Sequence, residues 1–364
     1  MSLSKKILTV VLPAYNECEN VDYLVEAIHK ADVDGQIKRI IYVDDDSPDL
    51  TSEHIKTSQY PIDVLCIHRI GRQGLSSAVV EGILLADTQY VAVMDADGQH
   101  TPDDLMQMLK VAVEEGDQLV IGSRFKNQAI VETHVGLRSL LSKVGNRLAN
   151  HVLRRQLSDP LTGFFLIERN LFTEVSHQVR GAGFKILVDV IYNLRDKNIK
   201  IAETQIQFQQ RLHGESKLDS GVMIEFVDQM IGLFIGKIYP EKFIGFLMVG
   251  VFGMCVHFTV LYLTLFIFAL SFTVAQTAAT LIAMVANYIL NNLLTFRRNR
   301  LKGFEWIKGL FYFILVCSLG AIANVGVAGY IFKLENIWWL SGLAGIIVGT
   351  VFNFTLSKYF VWKK

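Results

Sequence analysis

The sequence predicts an α/β domain built on a parallel sheet, followed by an amphipathic helix and four membrane-spanning helices. Short apolar runs alternate with helical patterns up to about residue 208, an order typical of parallel sheets. Charged residues lie mostly before Lys242, and the remainder of the chain is nearly continuous hydrocarbon. We therefore divide the chain into an α/β domain at residues 1–218, an interfacial helix at 219–241 and a membrane domain at 242–364.

Composition excludes some classes of function. The 364 residues are 51% apolar, above the usual globular range, and carry a formal net charge of zero. A chain without a global basic field gives no reason to expect a nucleic-acid partner. The 4 cysteines lack paired or metal-like spacing, so we expect free thiols in a reducing compartment. We expect no signal peptide, because the apolar run Ile7–Leu12 is too short and leads directly into Pro13.

Short apolar runs bounded by turn residues are predicted to form the strands. Helical spacing lies between most of them, as in Leu75–Leu85 and Leu105–Val113. Ligands bind such sheets at the carboxyl ends of the strands. The predicted strands are Ile7–Leu12, Arg39–Val43, Val64–Ile67, Tyr90–Met94, Leu119–Gly122, Phe164–Ile167 and Ile199–Phe208.

An acidic motif follows the fourth of these strands. Asp95, Asp97 and Gln99 occupy alternate positions, so on an extended chain their side chains point to one side. Two carboxylates placed together repel each other unless a cation lies between them, and a hard divalent ion prefers such oxygen ligands. A solvated acidic turn is the alternative for an isolated motif. A second acidic run, which begins at Asp44, also ends a predicted strand, and this coincidence favours a functional site.

The rear of the chain is predicted to lie on and in a membrane. Residues Val222–Ile238 form an amphipathic pattern that suits the membrane interface. The basic connector Arg297–Lys302 predicts, by the positive-inside rule, a multi-pass protein of the cell (inner or plasma) membrane with a cytoplasmic front domain and cytoplasmic termini. The predicted spans, each close to the ~20 residues that cross a bilayer, are Phe243–Phe266, Phe272–Leu294, Gly309–Phe332 and Trp338–Val361.

The membrane domain contains an internal repeat. Asn287–Phe296 aligns with Asn353–Trp362, and Gly253 in the preceding span aligns with Gly320. Each copy holds two spans, so the copies keep one orientation about an axis along the membrane normal. Polar side chains inside the spans are expected to face the bundle interior, where they either link helices or handle a polar headgroup. They are Asn287, Asn291, Asn324, Asn353 and His257.

Six motifs of the front domain occur in a fixed order: Val11–Glu17, Val43–Asp49, Gly74–Ala78, Met94–His100, Asp159–Gly163 and Gly214–Lys217. Together they resemble family 2 inverting glycosyltransferases of the GT-A fold, a Rossmann-like nucleotide-binding α/β fold. Within that family the resemblance is to dolichyl-phosphate mannose synthases and bacterial polyprenyl-phosphate hexosyltransferases, over about residues 7–240. The membrane domain resembles the GtrA-like four-span module.

The resemblance implies roles for individual residues. Asp97 and Gln99, with Asp95 beside them, would hold Mg²⁺ or Mn²⁺ on the donor diphosphate. Arg211 would close over that diphosphate together with Lys217, and Asp97, Arg124 and Arg211 form the implied catalytic set. The implied nucleotide-binding residues are Pro13, Tyr15, Glu17, Asp44, Asp45 and Asp95. The implied acceptor-phosphate residues are Arg124, Arg138, Ser142 and Lys217.

The expected reaction is metal-dependent, inverting transfer of a hexose from a nucleotide sugar to dolichyl or undecaprenyl phosphate at the cytoplasmic membrane face. The resemblance favours mannose from GDP-mannose. The alternatives are a UDP-glucose-dependent enzyme and a lipid-linked sugar flippase with a regulatory front domain. A processive polysaccharide synthase is disfavoured, since no Gln-x-x-Arg-Trp motif occurs. The sequence leaves open the sugar and nucleotide, the lipid, a homo-oligomeric state, the role of the membrane module and that of His213, where some relatives have arginine.

Overall fold

A mixed seven-stranded sheet organises the first of the two compact units into which the chain divides, Met1–Lys217 and Leu218–Lys364. The structure is a computed structural model that describes residues 6–72, 74–126, 137–179, 185–211, 227–232, 242–335 and 338–362. The domain boundaries predicted at residues 218 and 241 lie outside the described residues, so they stay predictions.

The strands of the sheet have the order β3-β2-β1-β4-β6-β5-β7. Every predicted strand is present, although the last is shorter than its apolar pattern. Their bounds are Leu8–Ala14 (β1), Ile37–Asp44 (β2), Val64–His68 (β3), Tyr90–Val93 (β4), Leu119–Ser123 (β5), Phe165–Glu168 (β6) and Ile201–Gln205 (β7).

Helices connect most of these strands and cover the sheet. Helix α4 begins after Thr101, whose hydroxyl accepts the backbone N–H of Asp104, and it ends at Gly116 in the left-handed conformation. The bounds are Cys18–Ala31 (α1), Thr51–Thr57 (α2), Leu75–Leu85 (α3), Pro102–Glu115 (α4), Leu137–Leu153 (α5), Arg169–Val175 (α6) and Ile186–Leu194 (α7).

The prediction of a parallel sheet is wrong for one strand. Strand β6 runs antiparallel to both of its neighbours, β4 and β5. The connection from β5 to β6 returns to the edge at which β5 ends, where Arg124 pairs with Asp159. A strand that starts at that edge must run in the opposite direction. The other strand pairs, β1 with β2, β1 with β4, β2 with β3 and β5 with β7, are parallel.

The core of the first unit lies between the sheet and its helices. Strand β1 is buried along its whole length, which explains its unbroken apolar sequence. Val21, Leu24 and Ile28 of α1 are at most 1% exposed, as their helical spacing predicted. On α3, a Cβ atom at Gly82 would collide with the Val11 side chain, so glycine permits this helix to approach β1 closely.

The second unit consists of apolar helices α8 (Phe243–Tyr262), α9 (Phe272–Leu290), α10 (Gly303–Glu335) and α11 (Trp338–Leu356). In the described part of the chain, three segments are long and apolar enough to cross a membrane: Phe243–Ile267, Thr277–Thr295 and Gly303–Ala323. Helix α10 begins at Gly303 rather than at the predicted Gly309. The fourth predicted span, Trp338–Val361, contains α11, and its role as a span stays a prediction.

Little of the predicted interfacial helix falls within the described residues. Residues 227–232 are helical, and the remainder of Val222–Ile238 lies outside the described part. Asp228 in this short piece accepts the backbone N–H groups of Lys242 at 2.7 Å and Ile244 at 3.1 Å. A carboxylate that binds free N–H groups at a helix N-terminus stabilises that end of the helix. Asp228 therefore fastens this piece to the start of α8.

The two halves of the second unit share one arrangement. Asn287 packs against Gly253 so closely that a Cβ atom would not fit there, and Asn353 packs against Gly320 in the same way. Each asparagine-bearing helix ends in a π-helical turn, Asn291–Thr295 in one copy and Ser357–Val361 in the other. The side chain of Asn324 lies outside the described set.

The aromatic residues that follow the two π-helical turns meet between the halves. The rings of Phe296 and Trp362 stack with centroids 4.3 Å apart and planes 5° from parallel. These residues occupy equivalent positions in the sequence repeat, so the repeat joins its copies through a matched pair of rings.

Candidate active site

The predicted acidic residues gather at one edge of the sheet. Asp44 is the last residue of β2, whereas Asp95 and Asp97 follow β4 directly. Because β1 pairs with both strands in parallel, all three strands end at the same edge. The structure thus brings the two acidic motifs to the carboxyl edge, where α/β sheets bind ligands.

Residues predicted for the nucleotide line the ends of β1 and β2. Pro13 is buried in β1, and Tyr15 is half-buried in the turn that follows. The Glu17 carboxylate, 7% exposed, accepts the Asn20 side-chain amide at 2.8 Å. This hydrogen bond fixes the Glu17 side chain at the start of α1.

The two aspartates at the end of β2 have different partners. Asp44 is fully buried and accepts the backbone N–H of Ser47 at 3.3 Å, so it holds the turn after β2. Asp45 accepts the backbone N–H of Gly74 at 2.6 Å and lies 3.1 Å from Nε of Arg69. The second aspartate therefore ties the β2 edge to the loop that precedes α3.

Asp97 and Gln99 converge on one cationic group. Nη2 of Arg211 lies 2.9 Å from Oδ2 of Asp97 and 3.4 Å from Oε1 of Gln99. The Asp97 carboxylate also accepts the backbone N–H of Gln99 at 3.1 Å. The structure thus brings together two of the three predicted metal ligands, Asp97 and Gln99, and adds the predicted arginine to them.

Burial changes the acidity of Asp97. Its desolvation and the negative charge of Asp95 raise the pKa of Asp97 to about 6, although the Gln99 N–H and Arg211 favour the charged form. The Asp95 side chain is 40% exposed, so the two carboxylates differ in environment. A carboxylate of raised pKa beside a second one binds a cation readily once it has lost its proton.

The residues present fit a hard divalent cation. The carboxylate of Asp97 and the amide oxygen of Gln99 already share one positively charged donor, so their oxygens point to a common position. Within the described ranges, no group of three or more His, Cys, Asp or Glu side chains is arranged so that it could hold a metal ion by itself. Mg²⁺ is commonly held by one or two carboxylates together with substrate phosphates, and this set matches that pattern.

Arg124 is fixed by a residue to which the sequence had assigned no role. Its Nε donates to Asp159 Oδ2 at 2.7 Å and its Nη2 to Asp159 Oδ1 at 3.2 Å, a bidentate pair. Asp159 is fully buried, and the Arg124 guanidinium also lies 5.4 Å from the ring centroid of Phe208. Asp159 stands in one of the six ordered motifs, and that position was the only signal in the sequence.

Two further residues near the acidic motif were missed. His100 is buried and stacks on Phe164 at 4.6 Å, and its Nδ1 accepts the backbone N–H of Asp95 at 3.4 Å. Burial and the charge of Arg124 lower the pKa of Lys185, which also interacts electrostatically with Asp95. His100 ends the acidic motif, whereas Lys185 had no distinguishing context in the sequence.

Several predicted site residues lie outside the part that the structure describes. Arg138 and Ser142 fall on α5, but their side chains are not among those described. Lys217 and His213 are outside the described residues altogether. The acceptor-phosphate assignments to Arg138, Ser142 and Lys217 stay predictions.

Both units match known families. Residues 9–176 match the family described as "Glycosyl transferase family 2", and residues 245–362 match "GtrA/DPMS, transmembrane domain". The order of the two matches agrees with the order of the two units, and the resemblance seen in the motifs is confirmed.

Similar proteins are known from several organisms. The dolichol-phosphate mannosyltransferase of Pyrococcus furiosus is 30% identical over 359 residues, which cover 98% of this chain and 99% of that protein. The protein of the same name from Mycosarcoma maydis is 32% identical over 232 residues, 62% of this chain and 78% of its own length. A crystal structure of Mycobacterium tuberculosis glucosyl-3-phosphoglycerate synthase with Mn²⁺, UDP and glucosyl-3-phosphoglycerate is 21% identical and covers 63% of this chain and 79% of that chain, with a TM-score of 0.46.

The predictions of a glycosyltransferase, of a Rossmann-like sheet and of a membrane protein are thereby confirmed. The relative from Pyrococcus furiosus matches this chain almost from end to end, and both family matches lie within this chain. This chain therefore belongs to the family 2 glycosyltransferases that carry a GtrA/DPMS transmembrane domain.

Proposed function

We propose that this glycosyltransferase transfers mannose from GDP-mannose to the phosphate of a polyprenyl lipid, dolichyl or undecaprenyl, with inversion at the anomeric carbon. The observation that carries the proposal is the convergence of Asp97, Gln99 and Arg211 at the carboxyl edge of the sheet. The name shared by the relatives, dolichol-phosphate mannosyltransferase, supports the choice of sugar and acceptor. The domain that follows gives the enzyme a place beside its lipid.

The donor is held in this proposal by two sets of residues. Pro13, Tyr15 and Glu17, with Asp44, Asp45 and Asp95, form the nucleotide pocket at the ends of β1, β2 and β4. Asp97 and Gln99, with Asp95 beside them, hold Mg²⁺ or Mn²⁺. The cation supplies Lewis acidity that neutralises the charge on the departing diphosphate. Arg211 adds a positive charge on the same side of the donor.

The acceptor needs orientation rather than deprotonation. A lipid phosphate is largely ionised near neutral pH, so we assign no general base. Arg124, held by the buried carboxylate of Asp159, presents its guanidinium near the end of β5. A fixed guanidinium orients an anionic nucleophile and reduces its repulsion from the donor phosphates. Arg138, Ser142 and Lys217 complete the acceptor side of the proposal.

The front unit is proposed to work at the cytoplasmic face. Arg297, Arg300 and Lys302 lie in the connector between α9 and α10, and Lys358 lies in the π-helical turn at the chain's end. Positive charge at these ends of the apolar helices favours the cytoplasm. Both termini and the sheet would then share that side.

The test uses full-length protein in membranes, a polyprenyl phosphate and a panel of labelled sugar nucleotides. We expect labelled lipid from GDP-mannose and little from UDP-glucose, and none when a polyprenol without phosphate replaces the acceptor. Label from UDP-glucose alone would replace the proposed donor. A lipid-linked sugar that crosses the bilayer without any transfer would instead support the flippase.

A variant tests the assignment of the metal site. Asp97→Ala is expected to abolish transfer, because it removes the buried carboxylate that faces Arg211. Full activity in this variant would contradict the metal site while leaving the fold intact.

A further inference from the structure

Arg211 contacts two of the residues that are proposed to hold the metal. One of its nitrogens lies within 3.4 Å of Gln99 Oε1 and 2.9 Å of Asp97 Oδ2. These oxygens belong to two of the residues that are proposed to hold the divalent ion. A guanidinium and a divalent cation that contact the same oxygens repel each other strongly. The side chain and the ion would therefore compete for Asp97 Oδ2 and Gln99 Oε1.

The backbone around Arg211 is anchored to the acidic motif. The N–H of Gln209 donates to the carbonyl of Gln99 at 2.9 Å, and the Gln99 amide donates to the carbonyl of Gln209 at 3.2 Å. His100 and Phe208 form an antiparallel bridge directly beside these bonds. The main chain leading to Arg211 is thus fixed on the motif, while a long side chain on it can turn to a second position.

We propose that Arg211 serves as a placeholder for the metal and that the two exchange when the donor binds. This inference rests on the proposed function, because it assumes a metal at Asp97 and Gln99. Before the donor arrives, the guanidinium neutralises the buried carboxylate of Asp97, which would otherwise lie beside Asp95 without this positive charge. The incoming diphosphate provides the released guanidinium with a new anionic partner. Metal and nucleotide then bind cooperatively, each favouring the other.

The exchange predicts that removing the arginine charge changes metal affinity in opposite directions without and with nucleotide. A simple metal-binding or phosphate-binding role does not produce this reversal. Without nucleotide, removal of the arginine charge should strengthen metal binding, since no ion pair has to break. With nucleoside diphosphate present, the same change should weaken metal binding, because the diphosphate loses its guanidinium partner. If the arginine were merely structural, removing its charge would weaken metal binding both without and with nucleoside diphosphate.

The experiment measures Mn²⁺ binding to the full-length protein in detergent by the loss of the free-ion electron paramagnetic resonance signal. It is run at pH 8, without and with GDP. Arg211→Gln removes the charge, and Arg211→Lys keeps a charge but not the planar fork. Arg195→Gln is the matched control, because Arg195 lies over the Tyr192 ring and pairs with Asp196 rather than with Asp97 or Gln99.

We expect Arg211→Gln to bind Mn²⁺ about 5-fold more tightly than wild type without GDP, as for the loss of a half-buried ion pair. With GDP, the same variant should bind at least about 5-fold more weakly than wild type. The Mn²⁺ affinity of Arg211→Lys should lie between those of wild type and Arg211→Gln, and that of Arg195→Gln should equal that of wild type. Unchanged or weaker Mn²⁺ binding by Arg211→Gln and Arg211→Lys without GDP would overturn the exchange.

Asp97→Ala separates this inference from the proposed function. If it loses Mn²⁺ binding while Arg211→Gln behaves as wild type without GDP, the metal site stands and the exchange is wrong. If Asp97→Ala binds Mn²⁺ as wild type does, the proposed metal site is wrong and the exchange fails with it. Since Arg211→Lys keeps the charge, it provides a second reading should Arg211→Gln fail to fold.

Discussion

The two units solve the burial of polar groups in opposite ways. In the first unit, charged side chains pair at the carboxyl edge of the sheet, where Asp97 faces Arg211 and Asp159 faces Arg124. In the second unit, the same polar position occurs twice: Asn287 and Asn353 each pack on a glycine of a neighbouring helix. Charges paired at one place suit a reaction with one donor and one acceptor. Neutral amides repeated in two helix pairs suit a structural role, which we call the frame. Each prediction below tests this contrast between a reactive first unit and a structural second unit.

The largest effect is expected at Asp97. Asp97→Asn should lower the turnover of sugar transfer by about 1,000-fold, or about 4 kcal/mol, since a neutral amide holds the cation poorly. Initial rates of labelled-lipid formation measure it. Asp103→Asn is the control, because Asp103 is an exposed carboxylate in the first turn of α4. Equal transfer rates in Asp97→Asn and Asp103→Asn would contradict a special role for the Asp97 carboxylate in the reaction.

A partnered amide of the second unit should matter for stability rather than for catalysis. Oδ1 of Asn292 accepts Nε1–H of Trp362 at 3.0 Å and the Leu301 N–H at 2.9 Å, and its amide donates to the Leu301 carbonyl at 3.2 Å. Asn292→Ala leaves these groups unsatisfied, so we expect a loss of about 2–4 kcal/mol in the free energy of unfolding. Activity per folded molecule should change little.

Tryptophan fluorescence follows that loss directly, because all 4 tryptophans lie in the second unit. Ser318→Ala is the matched control, since the Ser318 hydroxyl donates to the Ile314 carbonyl within its own helix. A thermal midpoint for Asn292→Ala equal to that of Ser318→Ala would show that this network does not hold the frame.

The affinity of the first unit for Mn²⁺ should depend on pH. The pKa of Asp97 is raised to about 6, so the carboxyl is protonated below that pH and must lose the proton to bind a cation. Mn²⁺ affinity without nucleotide should therefore be about tenfold weaker at pH 5 than at pH 7 and nearly flat above pH 7. Titrations of wild type across this range measure it. A steady decline from pH 8 downward would point to a different titrating group.

The smallest effects are expected at the repeated amides. Oδ1 of Asn287 and Oδ1 of Asn353 have no hydrogen-bond partner within the described ranges. Asn287→Leu and Asn353→Leu keep the shape and remove a buried polar atom, so unfolding free energy should change by less than about 1 kcal/mol. Thermal midpoints and transfer rates are measured together. Lost transfer with an unchanged midpoint would assign these amides to the lipid headgroup and contradict a purely structural frame.

Patterns local to the chain were enough to predict the elements. Strand–helix alternation and apolar length require only neighbouring residues, and the predicted strands and helices of the described part follow them. The direction of β6 depended on where its connection returns, which no local pattern contains. Likewise, the pairing of Arg124 with Asp159 joins residues 35 positions apart, and that of Arg211 with Gln99 joins residues 112 apart.

The candidate site was therefore predicted as a set of residue types but not as an arrangement. The acidic motif signalled oxygen ligands at a strand end, and the ordered motifs added the arginines. That Arg211 would lie between Asp97 and Gln99 followed only from the pairing of residues 207–211 with residues 99–104. Long-range packing of this kind is decided by the whole sheet.

The central claim is that a cation at Asp97 and Gln99 drives transfer of a sugar to lipid phosphate. The most direct measurement follows labelled mannose from GDP-mannose into polyprenyl phosphate by the full-length protein, first with EDTA and then after readdition of Mn²⁺. We expect no labelled lipid with EDTA and full recovery with Mn²⁺ in wild type, but no recovery in Asp97→Asn. Transfer that continues unchanged in EDTA would contradict it.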